Sequence, residues 1–268
     1  MNILVCAKMV PNTIQMAIDP VTNRLVRHGV NSLLNPADAC ALEKAFKLKD
    51  TYGATVTIIT MGNEDAKKII IDGMAAGADD GFLITDSLFG GSDTYSTAHI
   101  LAGVVKYLKE EENKEFDIIL CGTKTIDGET AQTGPELAEQ LGCSQVTSVI
   151  EILLVGKKVW AKQETDDYFN WLEMDFPALL TIVKTDEKLR IPRLKRKREF
   201  EKMEVKVLNL EKLKEWLNME EIGLKGSPTK VLNSYTPSSA RKNHIITGDT
   251  YKEKAHFLIK SLKEEGVI

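Results

Sequence analysis

The chain has 268 residues, 43% of them hydrophobic and 28% charged, with a formal charge of -4 at pH 7. This length supports one large domain with a substantial core, and the mild acidity excludes a general nucleic-acid binder, whose footprint is basic overall. No apolar run reaches the roughly 20 residues of a membrane-spanning helix. The apolar start, Met1 to Lys8, reads as a buried strand rather than a signal peptide, and a cytoplasmic location is expected.

Short β-rich runs alternate with amphipathic stretches through the first two-thirds, the pattern of βαβ units around a parallel sheet. The runs are Ile3 to Cys6, Thr55 to Met61, Phe82 to Thr85, Asp117 to Cys121 and Leu179 to Val183. All are nearly continuous in apolar residues, as strands buried on both faces must be. Helices are expected from Pro36 to a stop at Gly53, from Ala66 to Ala76 before Gly77, from Thr94 to Leu108, and from Pro135 to Leu141 before Gly142. After about Gln145, Val149 to Val155, Lys157 to Gln163 and Asn170 to Met174 read as antiparallel strands turning at Gly156-Lys157. A basic, apolar-poor loop spans 188–203. Beyond it come a strand at Val205 to Leu208, a short helix at Leu210 to Leu217, an extended arm from Gly223 to Arg241 and a last helix from Thr250 to Glu265. An arm of that length without its own core implies a partner surface. The expected organisation is an α/β domain at 1–187, a partner-recognition loop at 188–203, and an arm and helix at 204–268.

Cys6, Cys40, Cys121 and Cys143 form no CxxC pair, and His28, His99, His244 and His256 are equally scattered. No metal site and no Cys–His nucleophile is therefore expected. GxGxxG, GxxxxGK[ST] and GxSxG motifs are all absent.

The segment richest in chemistry is Cys121-Gly122-Thr123-Lys124-Thr125-Ile126-Asp127-Gly128-Glu129-Thr130-Ala131-Gln132-Thr133-Gly134-Pro135. It runs from the carboxyl end of a predicted parallel strand into a helix, where open α/β sheets bind ligands. Small residues let backbone N–H groups approach a guest, and a helix N-terminus favours an anion such as a diphosphate. Asp127 and Glu129 suit ribose hydroxyls or structural turns. Asn35-Pro36-Ala37-Asp38 and Gly90-Gly91-Ser92-Asp93-Thr94-Tyr95-Ser96-Thr97 are expected at the same sheet edge.

These segments carry a family resemblance. Val5 to Asn12 resembles the "V.K.VP" start of electron transfer flavoprotein beta subunits, and Asn35 to Asp38 resembles their "NPxD" helix entry. Met74 to Asp79 is similar to their "AxGAD" segment, and Ile126 to Pro135 to their "AIDGDTAQxGP" nucleotide loop. Gly91 to Thr97 resembles the "GADTxAT" segment of the electron-bifurcating members, whereas Thr123, followed by Lys124, stands where an Arg is usual.

The resemblance implies an adenine nucleotide-binding domain of the alpha-hydrolase-like type, with a β-hairpin extension and a C-terminal arm and helix packing on an alpha subunit in a heterodimer. It implies FAD, or AMP in the simple members, with its diphosphate on amides around Thr130, Gln132, Thr133 and Gly134. Cys6, Asn35, Asp38 and Met61 would border the adenosine end, and Thr94 and Thr97 the flavin side. NADH would be the electron donor; ferredoxin or flavodoxin and a flavin-dependent dehydrogenase (acyl-CoA, enoyl-CoA-type or 2-hydroxyacid) would be the acceptors. No side chain need act as acid or nucleophile, so the role is that of an electron-transfer subunit rather than an enzyme alone. The basic run would dock the dehydrogenase, with Leu194 as anchor and Lys195 and Arg196 as steering charges. Trp160, Trp171 and Trp216 read as packing residues. A stand-alone ATP- or AMP-binding stress-type domain is the alternative from a different class.

Overall fold

Strand β1 (Asn2–Cys6) is the strand from which the sheet grows in both directions. In the computed structural model, which describes residues 1–12, 17–18, 25–26, 32–232 and 244–268, β1 pairs in parallel with β6 (Thr55–Met61) on one side and β8 (Ile118–Gly122) on the other. Between β1 and β6, two separate two-stranded antiparallel sheets join β2 (Met9–Pro11) to β5 (Ser32–Leu34) and β3 (Ala17–Ile18) to β4 (Leu25–Val26). The expected arm residues at 233–241, and His28, lie outside the described residues. Beyond β6 come β7 (Asp80–Ile84) and β13 (Lys206–Leu208), and beyond β8 comes β12 (Ala178–Ile182), all parallel. The chain therefore reverses its direction of growth at β1, and the crevice outside the carboxyl ends of β1 and β8 is the topological switch point.

The five strands read as continuous apolar runs are all in this sheet. Ile3, Leu4, Val56, Ile58, Leu83, Ile84, Leu120 and Leu180 are fully buried. Burial on both faces follows from helices on both sides. Helices α1 (Pro36–Tyr52) and α2 (Lys67–Ala76) cover the face presenting Ile3 and Val5, while α3 (Thr94–Glu111) and α4 (Thr133–Leu141) cover the face presenting Leu4 and Cys6. Pro36 occupies the first turn of α1, and Gly53 closes it at φ 69, as the Pro-first, Gly-last asymmetry leads one to expect.

The antiparallel extension begins at Val149, where the sequence suggests it, but its first strand is longer at the start. Strand β9 (Ser144–Val155) first runs parallel to β12 and then, past Ser148 (φ 57), pairs antiparallel with β10 (Lys158–Glu164). Gly156-Lys157 is the two-residue turn. Among the described residues, strand β11 (Phe169–Asp175) pairs only with β10 and forms the sheet edge. On that extension Tyr168, Phe169, Trp171 and Leu172 are exposed, with Lys162 Nζ 5.1 Å from the Phe169 ring centroid. Trp171 is thus not a packing residue within this chain. Trp216 is one: it meets Tyr107 edge-on at 5.1 Å, and its indole N–H donates to Glu110 at 2.9 Å.

Within 188–203 the structure contains helix α5 (Leu194–Phe200), which packs against α2. The segment is anchored through Arg190. Its guanidinium and backbone N–H donate to the buried Glu43 carboxylate (Nη2–Oε1 2.9 Å, N–Oε2 2.9 Å) and the guanidinium also reaches Asp50 at 2.8 Å. Beyond β13, α6 (Leu210–Leu213) and α7 (Gly223–Gly226) continue the first of two compact units, Met1–Leu232; the second is Asn233–Ile268. In the second, Thr250 and Glu253 form a capping box at the start of α8 (Tyr251–Glu264), whose Tyr251, Phe257, Leu258 and Ile259 are exposed. Among the described residues no helix is long and apolar enough to cross a membrane.

Removing one partner of a largely buried ion pair leaves the other uncompensated. Arg190→Met is expected to lower unfolding free energy by about 2–3 kcal/mol, with the double variant Glu43→Leu/Arg190→Met recovering part of it. Urea denaturation of the four proteins of the cycle measures both numbers.

Candidate functional site

The carboxylate of Asp38 organises the switch point. It stands in the first turn of α1 and is buried. Its Oδ2 accepts the Lys8 N–H at 2.8 Å, and its Oδ1 accepts the Gly122 N–H at 2.8 Å. One carboxylate thus pins the strand ends of both β1 and β8. Gly122 is required there, because a Cβ would lie 2.4 Å from Asp38 Oδ1 and 2.9 Å from its backbone N. Asn35 is equally buried; its N–H donates to Lys8 O at 2.9 Å and its side-chain amide to Lys124 O at 3.1 Å. Burial pushes Asp38 up to about 6 despite hydrogen bonds from Lys8, Asn35 and Gly122.

Above these strand ends lies a cleft of about 1030 Å³. Of the residues singled out in the sequence, it is lined by Cys6, Asp38, Met61, Thr94 and Thr97, and by Gly122 to Thr125, Asp127, Gly128 and Thr130 to Gly134. Asn35, Ile126 and Glu129 instead line a neighbouring pocket of about 580 Å³, which shares Thr123, Lys124 and Thr125 with the cleft. Leu194, Lys195 and Arg196 are on α5 and line neither. Leu194 is 64% exposed, while Arg196 donates to the Met74 carbonyl of α2 at 2.9 Å and is engaged in the chain's own packing.

The cleft also takes in residues that the sequence did not mark: Lys8, Gly62 to Glu64, Asp86, Thr229 and Val231. Lys8 and Gly62 were findable, since they lie two and one residues past the ends of the adjacent strands β1 and β6. Thr229 and Val231 are distant in sequence and carried no signal.

The loop between β8 and α4 is shaped to present backbone. Glu129 (φ 52) and Ala131 (φ 56) both adopt the left-handed region, and Gln132 follows at φ -101, ψ -32. Such alternation turns successive N–H groups to one side and makes an anion-binding concavity; strain of this kind persists where the surroundings impose it. The loop is tied across the crevice by Lys8 Nζ to Asp127 (2.8 Å). Burial opposes ionisation of Asp127, but the hydrogen bonds from Lys8 and Thr125 outweigh it and hold the carboxyl below its ordinary range. At Gly134 the constraint is steric: a Cβ would meet Thr181 Cγ2 at 2.5 Å and Cys121 Sγ at 3.0 Å, so glycine lets the start of α4 close on the sheet. Thr94 joins the two helix starts by donating to Glu136 Oε1 at 3.1 Å.

The cleft floor carries no activated nucleophile. Burial, with the charge of Asp38, pushes the Cys6 thiol up to about 12, and burial raises Cys121 well above its ordinary value. Among the described residues no group of His, Cys, Asp or Glu has the arrangement of a metal site. The geometry suits holding an anionic nucleotide by backbone and hydroxyl groups, not acid, base or covalent chemistry.

A doubly wound parallel sheet with a cleft and a left-handed, backbone-presenting loop at its switch point defines an α/β protein of the kind that takes its ligands at the carboxyl ends of the strands. Residues 22–212 match the electron transfer flavoprotein domain family. Over its whole length the chain is 40% identical to all of the electron transfer flavoprotein subunit beta of Thermoanaerobacterium thermosaccharolyticum. It is 38% identical, again over the whole of both chains, to the caffeyl-CoA reductase–Etf complex subunit CarD of Acetobacterium woodii and to the acryloyl-CoA reductase electron transfer subunit gamma of Anaerotignum propionicum. The chain belongs to the electron transfer flavoprotein family, as a beta subunit. That membership sets aside the stand-alone stress-type domain.

Because the folded state holds Asp38 near 6 against an ordinary 3.8, it binds that proton more tightly than the unfolded chain does. Asp38 therefore favours folding most below its unfolded value and loses that contribution as pH rises through its folded value. The stability of the wild type relative to Asp38→Asn is expected to fall by up to about 3 kcal/mol between pH 4 and 6 and to stay flat above. Urea midpoints across pH 3.5–8 check the sign.

Proposed function

We propose that the chain is the FAD-carrying beta subunit of an electron-bifurcating electron transfer flavoprotein. The observation that carries this reading is the extent of one continuous cleft, from Met61 at the end of β6 to Thr94 and Thr97 on α3 and the start of α4. A mononucleotide would occupy the Cys6–Met61 end alone. The stretch past Gln132 to Thr97 suits the second half of a dinucleotide, and a volume of about 1030 Å³ stands at the upper end of typical ligand sites. The resident group would be FAD, with AMP as the occupant if the subunit is of the simple type.

In this reading the amides of Thr130 to Gly134 and the N-terminus of α4 receive the diphosphate. Asp38 acts from below as a positioning residue, holding Lys8 and Gly122 so that the walls keep their spacing. Thr94 and Thr97 border the flavin side, and no thiol or carboxylate of the cleft moves a proton. FAD held there would supply the redox chemistry, as a two-electron acceptor for NADH and a one-electron donor to ferredoxin or flavodoxin and to an alpha-subunit flavin. The exposed Tyr251, Phe257, Leu258 and Ile259 of α8 suit the alpha subunit, and cytoplasmic location fits an NADH donor.

Exposed Ile191 and Leu194, at 93% and 64%, are the apolar contacts available to a flavin-dependent dehydrogenase of the acyl-CoA, enoyl-CoA-type or 2-hydroxyacid class. Two relatives support a CoA-ester enzyme as that partner through their names, caffeyl-CoA reductase and acryloyl-CoA reductase.

The purified heterodimer is expected to hold two flavins, one of them NADH-reducible; one flavin with one AMP identifies the simple type. Leu194→Ala is expected to raise the half-saturating dehydrogenase concentration about ten- to a hundredfold, leaving NADH reduction of the bound flavin unchanged. Reversal of Lys195 and Arg198, rather than of Arg196, is expected to slow association and flatten its salt dependence. An unchanged half-saturation in Leu194→Ala moves the interface elsewhere.

A further inference from the structure

The α3 side of the cleft is held from behind by the chain's own C-terminal segment. Asp93, the N-cap of α3, uses both carboxylate oxygens. Oδ1 accepts the Ser96 N–H at 3.0 Å, and Oδ2 accepts the Thr229 N–H at 2.9 Å and the Thr229 hydroxyl at 2.8 Å. The N–H of Asp93 donates to Ser227 Oγ at 2.9 Å, and the buried Ser227 hydroxyl donates to Gly223 O at 2.8 Å. Gly223 (φ 63) fits so closely beneath the preceding turn that a Cβ would lie 2.1 Å from Leu88 O. Two residues past Thr229, Val231 lines the cleft, and the first compact unit ends at Leu232.

We propose that Asp93, Ser227 and Thr229 form a latch coupling occupancy of the nucleotide cleft to the anchoring of the segment that leads into the C-terminal arm. This rests on the nucleotide reading of the cleft and adds a linkage that the reading does not require. The physical link is charge. Asp93 is adjacent to Thr94 and itself lines the cleft at the start of α3. With the latch closed, three donors satisfy its carboxylate. With Thr229 withdrawn, Oδ2 loses both of its donors and stands as an uncompensated charge in the wall of a cleft that would hold an anionic nucleotide, near the carboxylate of Glu136, which already feels the charge of Asp93. Like charges at one site weaken binding. Reciprocity then requires a bound nucleotide to hold the latch shut by the same factor.

The full-length chain, alone and in its heterodimer, is titrated with AMP and with FAD by calorimetry, and amide hydrogen exchange of 227–232 is followed with and without nucleotide. Thr229→Val, which removes the hydroxyl donor, is expected to weaken both ligands about three- to tenfold and to speed exchange of the segment. Thr229→Ser is expected to restore both. Ser227→Ala, at a position outside the cleft lining, is expected to act in the same direction, which contact with the ligand cannot explain. In the wild type, nucleotide is expected to slow exchange at 227–232. Faster exchange in Thr229→Val and Ser227→Ala with unchanged affinity overturns the coupling alone. A wild type that binds neither AMP nor FAD overturns the nucleotide reading, and the coupling with it.

Discussion

Two parallel strands that belong to opposite halves of a sheet have no covalent reason to keep a fixed gap at their ends. Here one buried carboxylate sets it. Asp38 receives the N–H of Lys8 and the N–H of Gly122, each at 2.8 Å, and Asn35 adds a second tie through Lys124 O. The cost is visible in the elevated pKa of Asp38, because a charge is kept out of water on only a few hydrogen bonds. The cleft width, the reach of Lys8 to Asp127 and the seat of the loop after β8 all rest on that spacing. Gly122 belongs to the same constraint, since no other residue leaves room for the carboxylate oxygen beneath it.

The central strands were legible because strands covered on both faces are nearly continuous in apolar residues, and β1, β6, β7, β8 and β12 are, the threonines of β6 being the main interruption. The helices were legible from their ends: Pro36 and Gly53 bracket α1, and Gly142 closes α4. The first half of β9 was not, because Ser144-Gln145 is polar and its pairing with β12 is a long-range choice that no local pattern records. Helix α5 was hidden by its cations. It is held by Phe200 against the core and by Arg196 on a carbonyl of α2 rather than by an apolar stripe. At the site, the loop from Gly122 to Gly134 announced itself by composition and position. What composition could not convey is that Glu129 and Ala131 carry the left-handed backbone while Gly128 does not, or that Asn35 faces the loop's other side.

The cleft separates its tasks among elements of different stiffness. Fully buried strands supply the floor, a loop with left-handed backbone at Glu129 and Ala131 supplies one wall, and the segment around Thr229 supplies lining from outside the βαβ framework. Fold alone does not dictate function. In this family member the functional reading comes from the loop and from the residues that brace it.

The outer edge of the sheet has a consequence for handling the molecule. Among the described residues strand β11 has one neighbour, and its open side offers unpaired backbone groups beside Phe169, Trp171 and Leu172. An exposed apolar strand edge is a template for another strand. Glu173, Asp175 and the ammonium of Lys162 interrupt it only in part. Pairing of two such edges is second order in protein, so dilution protects the isolated chain. Whatever first covers β11 competes with a second copy for the same backbone hydrogen bonds.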